Sequence, residues 1–267
     1  MSHTGSHQPN IAPARIANMH IHLINPNTTA GMTATIRDAG IAIAASGTRV
    51  TASQPDSGPV SIEGHFDEAI SAVGVTEEIM RMDRESPADA YVIACFGDPG
   101  LLAAREITRA PVIGIAEAAF HMAALISTRF SVVTTLGRTV IIAEHLLDQY
   151  GFSHQCRRVR AAEIPVLDLE DDGDRALEKI IEESCRARDE DGIGAIVLGC
   201  GGMANLTETI SREVGLPVVE GVTASVKLAE ALVGLGLSTS KVGDLAFPRA
   251  KTFTGQFSHL SGLEPAQ

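Results

Sequence analysis

From His20 onward the chain alternates short β-branched apolar runs with longer stretches whose apolar residues recur every three to four positions. The short runs read as strands buried on both faces and the long ones as amphipathic helices, the pattern a parallel sheet covered by helices leaves in a sequence. Strands are predicted over 21–25, 49–53, 89–95, 112–115, 130–135, 157–162, 195–199 and 218–220. The clearest helices are predicted over 63–84, 98–108, 138–150, 174–190, 204–214 and 222–235, with further helices filling the gaps. Asp98-Pro99 reads as an N-cap and a first-turn proline, and Gly151 and Gly215 follow helical runs as C-caps do. The fold class is α/β.

An internal repeat refines this picture. DAYVIACFGDPGLL (89–102) superimposes on GIGAIVLGCGGMANL (192–206), pairing Ala90 with Ala195, Val92 with Val197, Cys95 with Cys200, Gly97 with Gly202 and Leu101 with Leu206. Each block continues into a helix and then PVI (111–113) or PVV (217–219), and a weaker echo relates LINPNTT (23–29) to VVTTLGRT (132–139). The reading is two similar parallel-sheet domains related by a pseudo-twofold axis, with the active site in the cleft between them.

Composition narrows the partners. Asp and Glu number 33 against 21 Lys and Arg, a net charge of −12, which argues against a phosphate-binding surface and so against nucleic acid. No apolar stretch approaches the ~20 residues of a membrane span, so no membrane partner is expected. Residues 1–19 are polar and lack the apolar core of an export signal; they read as a disordered tail and the protein as cytoplasmic. There the thiols Cys95, Cys156, Cys185 and Cys200 stay free, and none has the close spacing of a zinc site, so no metal is expected.

Cys95 and Cys200 each end a predicted buried strand before a glycine-bearing turn into a helix. That places both at the carboxyl edge of a sheet, where open α/β sheets bind ligands, and beside a helix N-terminus expected to lower the thiol pKa. Two chemically identical groups on opposite faces of a carbon acid can exchange the roles of base and acid, which is the requirement for racemisation. Cys156 and Cys185 have no such context and read as small buried hydrophobes.

INPNTTAGMT (24–33), SIEGHFDEA (61–69), ACFGDPGL (94–101), PVIGIAEAA (111–119), FSVVTTL (130–136) and VLGCGGM (197–203) together resemble the hydantoin racemase group of the aspartate/glutamate racemase superfamily. The resemblance runs from about 20 to 255, and GCGGM with GDLAFPRAKTFTGQF (243–257) is most similar to allantoin racemases. It implies a cofactor-independent isomerase acting on a small molecule through Cys95 and Cys200, and by analogy a final helix packed back on the first half. The domains expected are 20–117 plus 222–257 and 118–221, with a C-terminal tail over 258–267, in a homo-oligomer.

Where amino-acid racemases resemble Cys-Asn-Thr and Gly-Cys-Thr, this chain reads Cys95-Phe96-Gly97 and Gly199-Cys200-Gly201-Gly202. Such a lining lets backbone N–H groups approach a ring carbonyl and suits a flat imide better than a free carboxylate. The expected reaction is racemisation of allantoin (5-ureidohydantoin) at C5. The alternatives are a racemase for 5-alkyl or 5-aryl hydantoins, a related decarboxylase and a non-catalytic binding protein.

Further substrate contacts are expected from Asn25, Pro26, Asn27 and Thr28 at the first strand end, with Thr134 and Thr135 at its counterpart and Phe96, Gly97, Gly201 and Gly202 beside the thiols. Asn-Pro-Asn-Thr is equally the composition of a turn and N-cap. Glu117 is either a substrate ligand or a helix N-terminal charge. His65 and His121 read as structural histidines, and the acidic run 170–174 as a solvated loop.

Overall fold

The computed structural model describes residues 18–261, so the expected N-terminal tail over 1–17 lies outside the described residues. Met19, assigned to that tail from sequence, is instead buried as the first residue of strand β1.

The elements follow the predicted alternation: β1 (Met19–Ile24), α1 (Ala30–Ile43), β2 (Thr48–Ser53), α2 (His65–Glu85), β3 (Ala90–Ile93), α3 (Leu101–Ile107), β4 (Val112–Gly114) and α4 (Ile115–Ile126). The second series is β5 (Phe130–Thr134), α5 (Val140–Tyr150), β6 (Cys156–Ala161), α6 (Asp168–Asp171), α7 (Gly173–Glu190), β7 (Ala195–Leu198), α8 (Thr207–Val214), β8 (Val218–Glu220) and α9 (Gly221–Gly234). Gly151 and Gly215 end α5 and α8 with φ of 81° and 74°, the left-handed C-cap expected of them.

Two four-stranded parallel sheets result, ordered β2-β1-β3-β4 and β6-β5-β7-β8. The orders are identical once the halves are matched, as the repeat predicts. Register agrees at residue level, since Ile24 pairs with Ile93 in one sheet and Val133 with Leu198 in the other. Asn25 is therefore equivalent to Thr134, and the cysteines follow the two central strands at matching heights.

Both faces of each sheet are covered, so successive strand residues alternate between two cores. Ile21, Leu23, Ala90 and Val92 share a central core with Phe130, Val132, Ala195 and Val197, the same face of the other sheet. Tyr91 and Ile93 face an outer core with Val75, Ile79 and Leu101, while Ile196 and Leu198 face one with Ile180 and Ile210. The helix after the fourth strand of each half crosses over: α4 packs on β7 and β8, α9 packs on β1, β3 and β4, and the two pack on each other. Past α9 the chain runs along the first half, where Thr239 donates its N–H to the Arg109 carbonyl and Lys241 bonds carbonyls at the end of α3. Over its described part, the segment expected to be a tail from 258 onward holds His259 Nε2 2.9 Å from Glu77 of α2.

Two local expectations fail for identifiable reasons. Asp98 does not cap α3, which begins at Leu101 after a left-handed Gly100; Asp98 is itself at φ 43°. Its buried carboxylate accepts the N–H groups of Ala116 (3.1 Å) and Glu117 (3.0 Å), capping α4 from a distance while Tyr150 Oη donates to it at 2.9 Å. The acidic run from 170 is not simply a loop, since Glu170 belongs to α6 and lays its carboxylate against Gly31 at the start of α1. The helices expected in the gaps between the named ones include α1 and α4.

Candidate active site

In each half the first strand is flanked by the second on one side and the third on the other, so the chain reverses its direction of travel across the sheet beside that strand. The crevice at the carboxyl ends of the strands there is the expected ligand site of an open α/β sheet. The two crevices face each other and merge into one cavity of about 50 Å³. Ala94, Cys95, Phe96 and Gly97 line it after β3, and Gly199 and Cys200 line it after β7. The loops touch: a Cβ on Gly201 would stand 2.6 Å from the Ala94 carbonyl oxygen, so only glycine fits.

Both thiols are half-buried and face this shared space. The backbone N–H of the glycine two residues on, Gly97 for Cys95 and Gly202 for Cys200, favours each thiolate, but less than burial opposes it. The expected lowering of thiol pKa does not occur. Burial raises the Cys95 pKa above the usual thiol range, with Cys200, Glu68 and Asp98 adding to it, and pushes Cys200 up to about 11. Neither cysteine sits at an α-helix start: α3 begins six residues after Cys95, and a 3₁₀ turn separates Cys200 from α8. Desolvation therefore outweighs the macrodipole.

The structure separates the other expected contacts. Asn27, Thr134 and Thr135 line the cavity with Phe96 and Gly97; Asn25, Pro26, Thr28, Gly201 and Gly202 do not. Asn25 is buried beneath Asn27, donating to its Oδ1 at 2.9 Å and to Thr33 Oγ1 at 3.0 Å, while Asn27 Oδ1 also accepts the Thr29 N–H ahead of α1. The motif thus forms a turn ahead of α1, and Asn27 alone of its four residues lines the cavity. Thr28 is turned to the Pro59 carbonyl. Glu117 lies outside the cavity in an ion pair with Arg105 at 2.5 Å, the helix-terminus alternative. His65 is exposed beside Glu68, and His121 is exposed on α4.

Sequence reasoning missed Met32, Ile62, Glu68, Thr139, Ile142, Ala143 and Val166, which complete the wall. Ile62 and Glu68 fall within SIEGHFDEA, so that motif carried the signal without indicating which side chains face inward. Among the described residues no group of three or more His, Cys, Asp or Glu could hold a metal ion, and no helix is long and apolar enough to cross a membrane.

A duplicated α/β fold presenting one thiol from each half to a common cavity defines a class. The profile of the Asp/Glu/hydantoin racemase family matches residues 21–229, and the chain belongs to that family of isomerases. It is similar to a hydantoin racemase of Rhizobium meliloti, 52% identical over 89% of this chain and 98% of the relative. Among solved structures it is similar to an allantoin racemase from Klebsiella pneumoniae, 58% identical with a TM-score of 0.89 over 92% of this chain and all of that one. An allantoin racemase from Pseudomonas fluorescens is 42% identical, with a TM-score of 0.86 over 89% of this chain and all of that one.

Proposed function

We propose that the protein racemises allantoin at C5 by a two-base mechanism in which Cys95 and Cys200 work on opposite faces of the ring. The observation that carries this reading is the pair of thiols at equivalent strand ends of the two halves, lining one cavity. One sulfur, as thiolate, takes the C5 proton; the electron pair moves into the adjacent carbonyl as an enolate. The other sulfur, as thiol, returns a proton to C5 from the far face, and the thiolate and thiol have exchanged places. A net conversion leaves the pair in the state that accepts the opposite enantiomer. Repulsion between the two sulfurs favours the singly ionised pair, which the cycle requires.

The likeness to allantoin racemases and the polar wall of Asn27, Thr134, Thr135 and Thr139 support a ureido substituent. A second reading, racemisation of 5-alkyl or 5-aryl hydantoins, is favoured by Met32, Ile62, Ile142 and Val166 on the same wall. Polarimetry on both substrate classes separates them, and a preference for a benzyl over a ureido substituent reverses the choice.

The mechanism is tested with Cys95→Ser and Cys200→Ser in deuterated water, following C5 by proton NMR from each pure enantiomer. Each variant is expected to lose net racemisation by roughly a hundredfold or more, while each exchanges the C5 proton of one enantiomer, a different one for each variant. Full racemisation by either variant refutes the two-base assignment.

A further inference from the structure

The stretch SIEGHFDEA places on the cavity wall a charged group that the two-cysteine cycle leaves without a task. Glu68 lies in the first turn of α2 with its side chain largely buried, and its carboxylate stands where a Cβ on Gly97 would be. A side chain on Gly97 would therefore collide with that carboxylate, which is held beside the Cys95 thiol. Its ion-pair partner is His65, whose Nδ1 is 3.4 Å away and whose side chain is 64% exposed on the outer side. Among the described residues no Lys or Arg lines the cavity. Besides the thiol pair, the described wall therefore holds one carboxylate and no Lys or Arg to match an acidic ligand.

We propose that Glu68 sets the substrate class, accepting a hydrogen bond from an N–H of a cyclic ureide and excluding the ring-opened carbamoyl acid. The identity of the ligand as a cyclic ureide rests on the function proposed above; the exclusion of anions rests on the wall itself. Hydrolysis of a hydantoin between N3 and C4 takes up water, turns N3–H into a urea NH2 and leaves C4 as a carboxylate on the carbon that was C5. In a desolvated cavity that carboxylate meets Glu68 without a compensating charge.

The test compares wild type, Glu68→Gln and Glu68→Asp at pH 8. Calorimetry measures binding of the ring-opened carbamoyl acid and of its uncharged primary amide, a control of equal size, and polarimetry gives kcat and KM for the ureide. Wild type is expected to bind the amide at least tenfold more tightly than the acid. Glu68→Gln should shrink that preference about tenfold and raise KM for the ureide by about tenfold with a smaller effect on kcat. Glu68→Asp, which keeps the charge, should retain the preference. A merely structural role would weaken both ligands together and leave their ratio unchanged, and that result overturns the proposal. Tight binding of the acid by wild type overturns it without any variant. A wild type that binds these ligands but racemises no hydantoin defeats the proposed function instead, and the acid-to-amide ratio still reports on Glu68.

Discussion

Cys95 and Cys200 occupy equivalent positions yet have different neighbours. Cys95 feels the negative side chains of Glu68 and Asp98 in addition to its partner thiol, whereas Cys200 feels Glu63. In an NMR titration of protein labelled at cysteine Cβ, the Cys200 resonance is expected to move first as pH rises, with Cys95 following; simultaneous titration or the reverse order contradicts this asymmetry. Because both thiols start above their ordinary range, kcat/KM should climb by up to tenfold per pH unit between 7 and 9, as the thiolate fraction grows. A plateau already reached at pH 7 counts against it. The thiols were legible in sequence because a repeated cysteine stands out against Ala, Val and Gly. Glu68 was not, because its role depends on α2 lying beside a loop about thirty residues further on.

At the scale of elements, the halves satisfy the same buried helix N-terminus in two ways. Glu220 caps α9 from its own N-cap position through the N–H groups of Val222 and Thr223. Gly114 at the corresponding place has no side chain to offer, and Asp98 reaches in from the Cys95 loop. Asp98→Ala should therefore cost about 1–2 kcal/mol in chemical denaturation, the range for a lost cap. An unchanged midpoint and slope argue against the capping role. The first sheet holds a second polar device: His20 Nε2 and His22 Nδ1 each stand 2.7 Å from Thr51 Oγ1, and His22 Nε2 stands 2.9 Å from Ser53 Oγ, which donates to Glu78. Burial pushes His22 down to about 3. The unfolded chain then binds the extra proton between pH 6.5 and 3, so the neutral ring's contribution is complete above 6.5 and is lost as pH falls through that window. Replacing His22 by Gln should flatten the acid limb of the melting profile; an unaltered limb excludes His22 as its source. The core strands were readable from sequence to within about two residues because apolar runs mark them. The start of α3 and the role of Asp98 were not, since an Asp-Pro pair looks the same whichever helix its carboxylate caps.

Across the whole molecule, the cavity is closed by contacts between the halves. Glu63 accepts the Val166 N–H at 2.9 Å, Arg138 lies against Gly64, and Glu170 lies against Gly31. Glu63→Ala is expected to speed amide exchange at Val166 by about tenfold while the β1 and β5 amides keep their protection; unchanged exchange at Val166 removes Glu63 as a latch. The two-sheet plan was legible because the duplication repeats the order of strands as well as their composition. The latch contacts were invisible because they join residues about a hundred apart whose proximity only the assembled fold creates. The exchange of α4 and α9 between halves also governs the order in which the chain is completed. On the ribosome, Ile21, Leu23, Ala90 and Val92 emerge long before α9, which packs on their strands, so that face stays wet and sticky until α9 has been made. The first half therefore cannot mature early and wait for the second; the nascent polypeptide closes its central core only when α9 has left the exit tunnel.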